Sequence, residues 1–357
     1  MSNKIILKSA DLDGYLDSRD SKNLEAMNKL YSEASDIFKS IAETSDSAYP
    51  ESSRERLIDV FARIGDSLKD IVSVEPRIRV YSFETPSSIH GEVSRLIAKL
   101  RDVKTKQREF LYYTQRAYEL LFNLSVYGGD LNRKHYLIVK TPVASPVQNY
   151  AVHKVPYIDE DLNNSVMCVM LRGALLPSMI MSKEIQEYSS SRYVTPFSLF
   201  KISRDDTKKE HNMEYILDLD KSYFDLDMMN GKDLIFADPM NATGGSFVTI
   251  IKHIIEQGVK PRSIKFFNVI STLKGTLRIV RALDNVTVYT LWMDPVMNDS
   301  AYILPGLGDA GDRLNGGDMP DYPRNIIQLV ADYGSVVSDL YRSQIRKIEE
   351  TVLNKGK

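Results

Sequence analysis

The stretch Asp233-Leu-Ile-Phe-Ala-Asp238-Pro239-Met240-Asn241-Ala242-Thr243-Gly244-Gly245-Ser246 carries the clearest chemistry in this chain. An apolar strand that ends in an acid and passes through Thr-Gly-Gly-Ser into a helix from Phe247 builds an anion cradle. Its backbone N–H groups converge at the positive end of the helix dipole. The two glycines let the backbone approach an anion closely, Thr243 and Ser246 add hydroxyl donors, and Asp238 is placed to accept hydrogen bonds from sugar hydroxyls. An ordinary strand-to-helix turn with Ser246 as N-cap uses the same residue types. The glycine spacing fits neither a P-loop nor a dinucleotide fingerprint. A second stretch, Ala301-Tyr-Ile303-Leu-Pro-Gly306-Leu-Gly308-Asp309-Ala310-Gly311-Asp312-Arg313, is too punctuated for a helix or strand. Such a loop exposes backbone N–H and C=O groups that can read the edge of a flat heterocycle, although a glycine-rich surface turn has the same composition.

These loops need a frame. After Pro142, short apolar runs at Met167 to Leu171, Thr195 to Ile202, Leu234 to Ala237, Ile264 to Ile270 and Val286 to Leu291 alternate with helical segments, one of them Phe247 to Gln257. That alternation predicts an α/β fold with parallel neighbours, right-handed crossovers and a ligand site beyond the carboxyl ends of the strands. Upstream, apolar residues at helical spacing from Leu24 to Ile41 and from Leu57 to Ile71 predict a helical hairpin broken by turn chemistry at 44–50. Ile78 to Phe83 reads as a strand, 91–124 as a long helical stretch and 325–352 as a C-terminal helix carrying Ile326 to Ile348.

Composition narrows the function classes. The 357 residues hold 46 Lys+Arg against 48 Asp+Glu, a net charge of −2, which removes the broad basic field of a general nucleic-acid binder. The segment 1–77 has 11 basic and 15 acidic residues, so it is no nucleic-acid arm either. The single cysteine, Cys168, lies in an apolar run and reads as a small buried hydrophobe in a reducing compartment. The five histidines lack metal-ligand spacing. The start has no apolar core of signal-peptide length, and the most apolar stretch, 165–181, is interrupted by Arg172. The expectation is a cytoplasmic protein with no membrane span.

Together the two loops resemble the uracil phosphoribosyltransferase family, whose 5-phosphoribosyl-1-diphosphate (PRPP) loop reads Asp-Pro-Met-Leu-Ala-Thr-Gly-Gly-Ser and whose uracil loop reads Tyr-Ile-x-Pro-Gly-Leu-Gly-Asp-x-Gly-Asp-Arg. Both recur here in order, with Asn241 for Leu. The resemblance covers about 78–317, where Val80-Tyr81, Phe110 and Thr141-Pro142-Val143 match the family's early strand, helix and Thr-Pro element. It implies a type I phosphoribosyltransferase-like domain, a mainly parallel sheet flanked by helices, over 78–317, with helical extensions at 1–77 and 318–357. It also implies transfer of the phosphoribosyl group to uracil, giving UMP and pyrophosphate. The alternative is a regulatory protein that binds PRPP or UMP without turnover.

Residue by residue, the resemblance places the 5′-phosphate on Ala242, Thr243, Gly244, Gly245 and Ser246, the ribose on Asp238, and Pro239, Met240 and Asn241 in the same PRPP loop. Uracil would be read by main-chain groups of Ile303, Gly308 and Ala310, with Asp309 close to the donor. The family's Arg-Ala-Gly-Leu-Gly pyrophosphate loop corresponds to Arg172-Gly173-Ala174-Leu175-Leu176, which keeps the arginine and replaces the last glycine; Arg172 could equally serve a structural ion pair. A second donor-binding cation falls on Arg204 or Lys201. Leu314-Asn315-Gly316-Gly317 stands where the family has Leu/Ile-Phe-Gly-Thr. Arg172, Asp238 and Asp309 are thereby the candidate catalytic residues. The implied cofactor is Mg²⁺, held mainly by the substrate pyrophosphate. A purine nucleotide is a candidate effector and a homo-oligomer the expected assembly, to which the N-terminal helical hairpin would contribute.

Overall fold

The computed structural model describes residues 3–43, 51–127, 134–144, 146–316 and 324–354; the turn expected at 44–50 and Gly317 lie outside them. The chain begins with β1 (Lys4–Lys8), α1 (Ser9–Asp13), α2 (Ser18–Glu43) and α3 (Glu51–Val72), followed by β2 (Ile78–Val80). α4 (Tyr81–Glu84), α5 (Ser87–Arg101) and α6 (Gln107–Tyr127) lead to a hairpin of β3 (Lys134–Lys140) and β4 (Tyr150–Pro156). After α7 (Asp159–Leu162) come β5 (Ser165–Leu171), α8 (Leu175–Tyr188), β6 (Phe197–Arg204), a 3-10 turn at Glu210–Asn212, β7 (Glu214–Tyr223) and α9 (Leu226–Met229). The rest is β8 (Asp233–Asn241), α10 (Gly245–Glu256), β9 (Ser263–Thr272), α11 (Leu273–Ala282), β10 (Val286–Asp294), β11 (Val296–Met297), β12 (Ile303–Leu304), α12 (Ala310–Asn315) and α13 (Ile326–Leu353).

Eight strands form one sheet in the order β1-β7-β6-β5-β8-β9-β10-β2. From β6 to β2 neighbours run parallel, while β7 is antiparallel to β6 and β1 antiparallel to β7. All seven residues of β5 are buried, the signature of a strand covered on both faces. α10 and α11 pack on one face, with α1 and α2 outside them; α6 and α8 pack on the other, with α13 against α8. The five sequence-read strands and the helix from Phe247 are present, and 165–171 holds the buried Cys168.

Three departures have physical reasons. The strand at Ile78 stops after Val80, where the chain turns into α4. The stretch 91–124 is two helices, because Asp102 caps the end of α5 in an extended conformation. The segment 1–77 is not wholly helical: Lys4–Lys8 extends the central sheet. The inner parts of the α2 and α3 stripes find cover within the chain, while Phe38 and Ile58 at the outer end stay exposed. Met27, Tyr31, Ala34 and Ile37 are buried on one helix, Val60, Ile64 and Leu68 on the other. No helix among the described residues is long and apolar enough to cross a membrane.

Candidate active site

The connection from β5 returns through α8 to β6 on one side, whereas β8 lies on the other side of β5. Neighbouring strands therefore send their chains apart, and a crevice opens beyond their carboxyl ends. A cavity of about 280 Å³ occupies that place, bordered by Met170 from β5, Arg204 from β6, Asp238 to Thr243 with Pro239 set back, and Gly244, Ser246 and Phe247 at the start of α10. Its opposite wall is the second loop: Ala301, Tyr302, Ile303, Pro305, Leu307, Gly308 and Asp309. The two sequence segments, some 60 residues apart, thus face each other across one space.

The phosphate-type turn is held from behind. Gly244 caps α10 at φ +73°, and a Cβ there would lie 2.6 Å from the Gly275 carbonyl oxygen. At Gly245 a Cβ would sit 2.1 Å from the Tyr215 ring. These approaches require glycine; Ser246 lies one residue inside α10 rather than capping it. Thr272 Oγ1 donates to the Ala242 carbonyl at 2.5 Å and accepts from Gly275 N at 2.9 Å, pinning β8 to α11. Asn241 is buried and donates from Nδ2 to Thr276 Oγ1 at 3.3 Å, so this departure from the family loop joins the same brace while still bordering the cavity. Gly245 N donates to Thr243 Oγ1 at 3.4 Å, and a helix start of this kind suits an anion because its first-turn N–H groups lack intrahelical acceptors.

Asp238 accepts from Met240 N at 3.0 Å. Desolvation pushes its carboxyl up to about 7, opposed by that bond, reinforced by Asp309 and relieved by Arg204. Arg204 Nη1 donates to the Ala301 carbonyl at 3.3 Å and its guanidinium lies 5.9 Å from the Tyr302 ring centre, so β6 is tied to the start of the second loop. Asp309 caps α12, accepting from Asp312 N at 2.9 Å.

Of the sequence candidates, Asp238, Met240, Asn241, Ala242, Thr243, Gly244, Ser246, Arg204, Ile303, Gly308 and Asp309 meet at the cavity. Gly245 and Ala310 sit behind this lining, the latter buried as the first residue of α12. Lys201 lies three residues before Arg204 on β6 and is not part of the lining, so the cation at this wall is Arg204. Arg172 is also absent from it. Its Nη2 donates to Asp312 Oδ1 at 3.2 Å, and Gly173 packs on Gly311, so the Arg172 segment docks on the second loop. A non-proline cis peptide joins Leu171 and Arg172. Sequence reading missed the apolar walls Met170, Phe247, Phe266 and Leu307; Phe247 was signalled only by following Ser246. It also missed the anchoring role of Arg313, whose Nη1 donates to the Leu307 carbonyl at 2.7 Å while the guanidinium lies 4.0 Å from the Phe110 ring centre.

A sequence profile of the uracil phosphoribosyltransferase family matches residues 88–316. The uracil phosphoribosyltransferase of Dictyoglomus thermophilum is 31% identical over 227 residues, 64% of this chain and 96% of that protein. That of Polaromonas naphthalenivorans is 41% identical over 88 residues, 25% of this chain and 41% of its own. Among solved structures, the AQ2163 protein from Aquifex aeolicus shares 22% identity, covering 64% of this chain and 95% of that one at a TM-score of 0.44. With the profile spanning well over half of its length and both loops at one cavity, the chain belongs to the uracil phosphoribosyltransferase family.

Proposed function

We propose that this protein transfers the phosphoribosyl group of PRPP to N1 of uracil, releasing pyrophosphate and giving UMP. The observation that supports this most directly is the single cavity walled on one side by the helix-capping turn and on the other by the glycine-rich loop. A 5′-phosphate seats on the N–H groups and hydroxyls of Thr243 to Ser246, and ribose hydroxyls donate to Asp238. Main-chain groups of the Ile303 to Gly308 loop hold uracil, and an exocyclic amine in place of a carbonyl leaves a buried group unmatched, which disfavours cytosine. Bond breaking at the anomeric carbon runs ahead of bond making, so the site must stabilise a cationic sugar and an anionic leaving group.

The described residues contain no cluster of three His, Cys, Asp or Glu that could cage a metal, while Asp238 and Asp309 both border the cavity. That donor set fits Mg²⁺ carried in by the diphosphate, with the two carboxylates toward its hydration shell. The ion would neutralise charge on the leaving group. Arg172 reaches the diphosphate only by exchanging its partner Asp312, whose side chain is largely exposed. This arrangement also supports the second reading, a PRPP- or UMP-binding regulator without turnover. Incubation with uracil, PRPP and Mg²⁺ separates them: UMP formation supports the enzyme, whereas donor binding without product under all metal and effector conditions supports the regulator. For the enzyme, Arg172→Ala should lower kcat by about 10²–10³, with only a small fall in Tm, since a pair whose carboxylate is 60% exposed contributes about 1 kcal/mol or less.

A cytoplasmic location and a purine nucleotide effector remain part of the proposal. For self-association the surface that supports it is the β3–β4 hairpin rather than the α2–α3 pair. Tyr136, Ile138, Tyr150 and Val152 are each more than 60% exposed, and Ile138 faces Val152 in register. Ile138→Glu should yield monomers by light scattering; an unchanged mass would return the interface to the terminal helices.

A further inference from the structure

Arg278, on α11, is the largest side chain sealed in the core. Its Nε and Nη2 donate to Asp13 Oδ1 at 2.9 and 2.7 Å, and Nη2 also donates to Ser9 Oγ at 2.9 Å. Nη2 lies 2.7 Å from Glu210 Oε1, and Nη1 donates to the Thr243 carbonyl at 3.4 Å. A wholly buried guanidinium is tolerated only when its protons are matched by acceptors. Here the acceptors come from α1, the 3-10 turn and the phosphate-type turn. Lys274 stands 2.9 Å from Glu210 and 3.5 Å from Asp13, so two cations face two carboxylates and the formal charges cancel.

A second connection runs through the sheet. β1 pairs with β7 so that Leu7 lies opposite Tyr215, and the Tyr215 ring fills the space that a side chain at Gly245 would need. The N-terminal segment therefore touches the turn by two routes, one polar and one by packing.

We propose that residues 4–13 are a positioning element for the phosphate turn and that Arg278 is the positioning residue that links them. The proposal rests on the reading of this turn as the seat of the donor's 5′-phosphate. In a trans peptide the carbonyl and the following N–H point to opposite sides. Holding the Thr243 oxygen against Arg278 directs the Gly244 N–H away from the core. Because the cluster is formally neutral, its effect on the turn is geometric.

This separates positioning from attraction. Asp13→Asn removes one negative charge behind the turn: Coulomb attraction alone would tighten anion binding, whereas loss of position weakens it. Titration calorimetry with ribose 5-phosphate should show at least fivefold weaker binding to Asp13→Asn. Amide hydrogen exchange over 242–246, measured without ligand, should be about tenfold faster. In turnover, KM for PRPP should rise with kcat and KM for uracil within twofold, and Arg278→Lys should lie between wild type and Arg278→Met. Should Arg278→Met fail to fold, Asp13→Asn, which leaves Glu210 in place, still decides. Tighter binding, or unchanged binding with unchanged exchange, overturns the proposal. If wild type does not bind ribose 5-phosphate, the donor reading fails, and the ligand-free exchange still decides whether residues 4–13 hold the turn.

Discussion

The two loops that face each other across the cavity are both rich in glycine, yet packing and charge hold them in different proportions. The turn from Asn241 to Ser246 is shaped first by close packing, Gly244, Gly245 and Gly275 each lying where a Cβ would meet neighbouring atoms at 2.1–2.6 Å, with Arg278 on the Thr243 carbonyl behind it. In the loop from Ile303 to Arg313 only Gly306 is confined this way, a Cβ there lying 2.2 Å from the Ile303 carbonyl oxygen, and the rest of the loop is tied by charged side chains. Asp294 Oδ2 accepts from Gly306 N at 3.0 Å, Arg101 pairs with Asp294 at 2.5 Å, and Arg313 holds the Leu307 carbonyl. Under the proposed function, the phosphate would meet the wall with more close-packed glycines and the planar base the wall tied by more charged groups. The lesson is that glycine content alone does not describe a ligand loop; what stands behind it does.

The largest effect should come from the ionic anchor. Arg101→Met leaves the Asp294 carboxylate, 1% exposed, without its partner, which should cost about 3–5 kcal/mol in denaturant unfolding. Burial already raises the Asp294 carboxyl above its ordinary value, so the variant's deficit should shrink as pH falls and the group protonates. Uracil binding should suffer more than ribose 5-phosphate binding. Equal loss at both ligands would end the distinction between the walls.

Packing comes next. Gly275→Ala drives a methyl to 2.4 Å from the Ala242 carbonyl, a backbone atom that cannot swing aside. It should cost about 1–3 kcal/mol. Here the order of ligand effects should reverse, with ribose 5-phosphate affected first in calorimetry.

Asp238→Asn tests the electrostatics between the walls. Since burial holds the Asp238 carboxyl near 7, far above an unfolded aspartate near 3.8, the ionised form is a liability in the ligand-free protein. The amide should raise Tm fully above pH ~7, and this gain should fade as pH falls from 7 to about 4 and be absent below it. Turnover should fall sharply at every pH. A Tm difference that is flat with pH would remove the desolvation argument. The smallest effect is expected for Asn241→Leu. It loses one hydrogen bond, to Thr276, so donor affinity should change by about 1 kcal/mol at most, and abolition of activity would give Asn241 a direct ligand role.

What could be read in the sequence follows from which interactions are local. The strands at 167–171 and 234–237 announce themselves because a strand buried on both faces needs an unbroken apolar run, and 264–270 does so despite Lys265 and Asn268. The two glycine-rich loops were legible because glycine and acid spacing is itself the geometry. β7 left a signal that went unused: Tyr215-Ile216-Leu217 is a short apolar run whose first and last residues are buried. β1 is five residues long, too short to stand out. Arg278 could not be found at all, since an arginine on a helix reads as surface until its partners, 265 and 269 residues away, are brought to it. The position of Arg172 was likewise open, because its partner Asp312 lies 140 residues on.

The strand Lys4–Lys8 and the helix after it also set a timetable for biogenesis. β1 pairs with residues 214–218, and Ser9 and Asp13 wait for Arg278. At typical synthesis rates of about 5–20 residues per second, a separation of 265 residues is a delay on the order of 10–50 s. Throughout that interval the nascent N-terminal segment is outside its native place, a short apolar strand beside two carboxyl-rich helices. Its lysines at both ends, Lys4 and Lys8, keep it from pairing with a stray sheet edge while it waits. The same segment that braces the finished protein can thus take its native place only after Arg278 has been made, and its docking closes the sheet's β1 edge and the back of the cavity together.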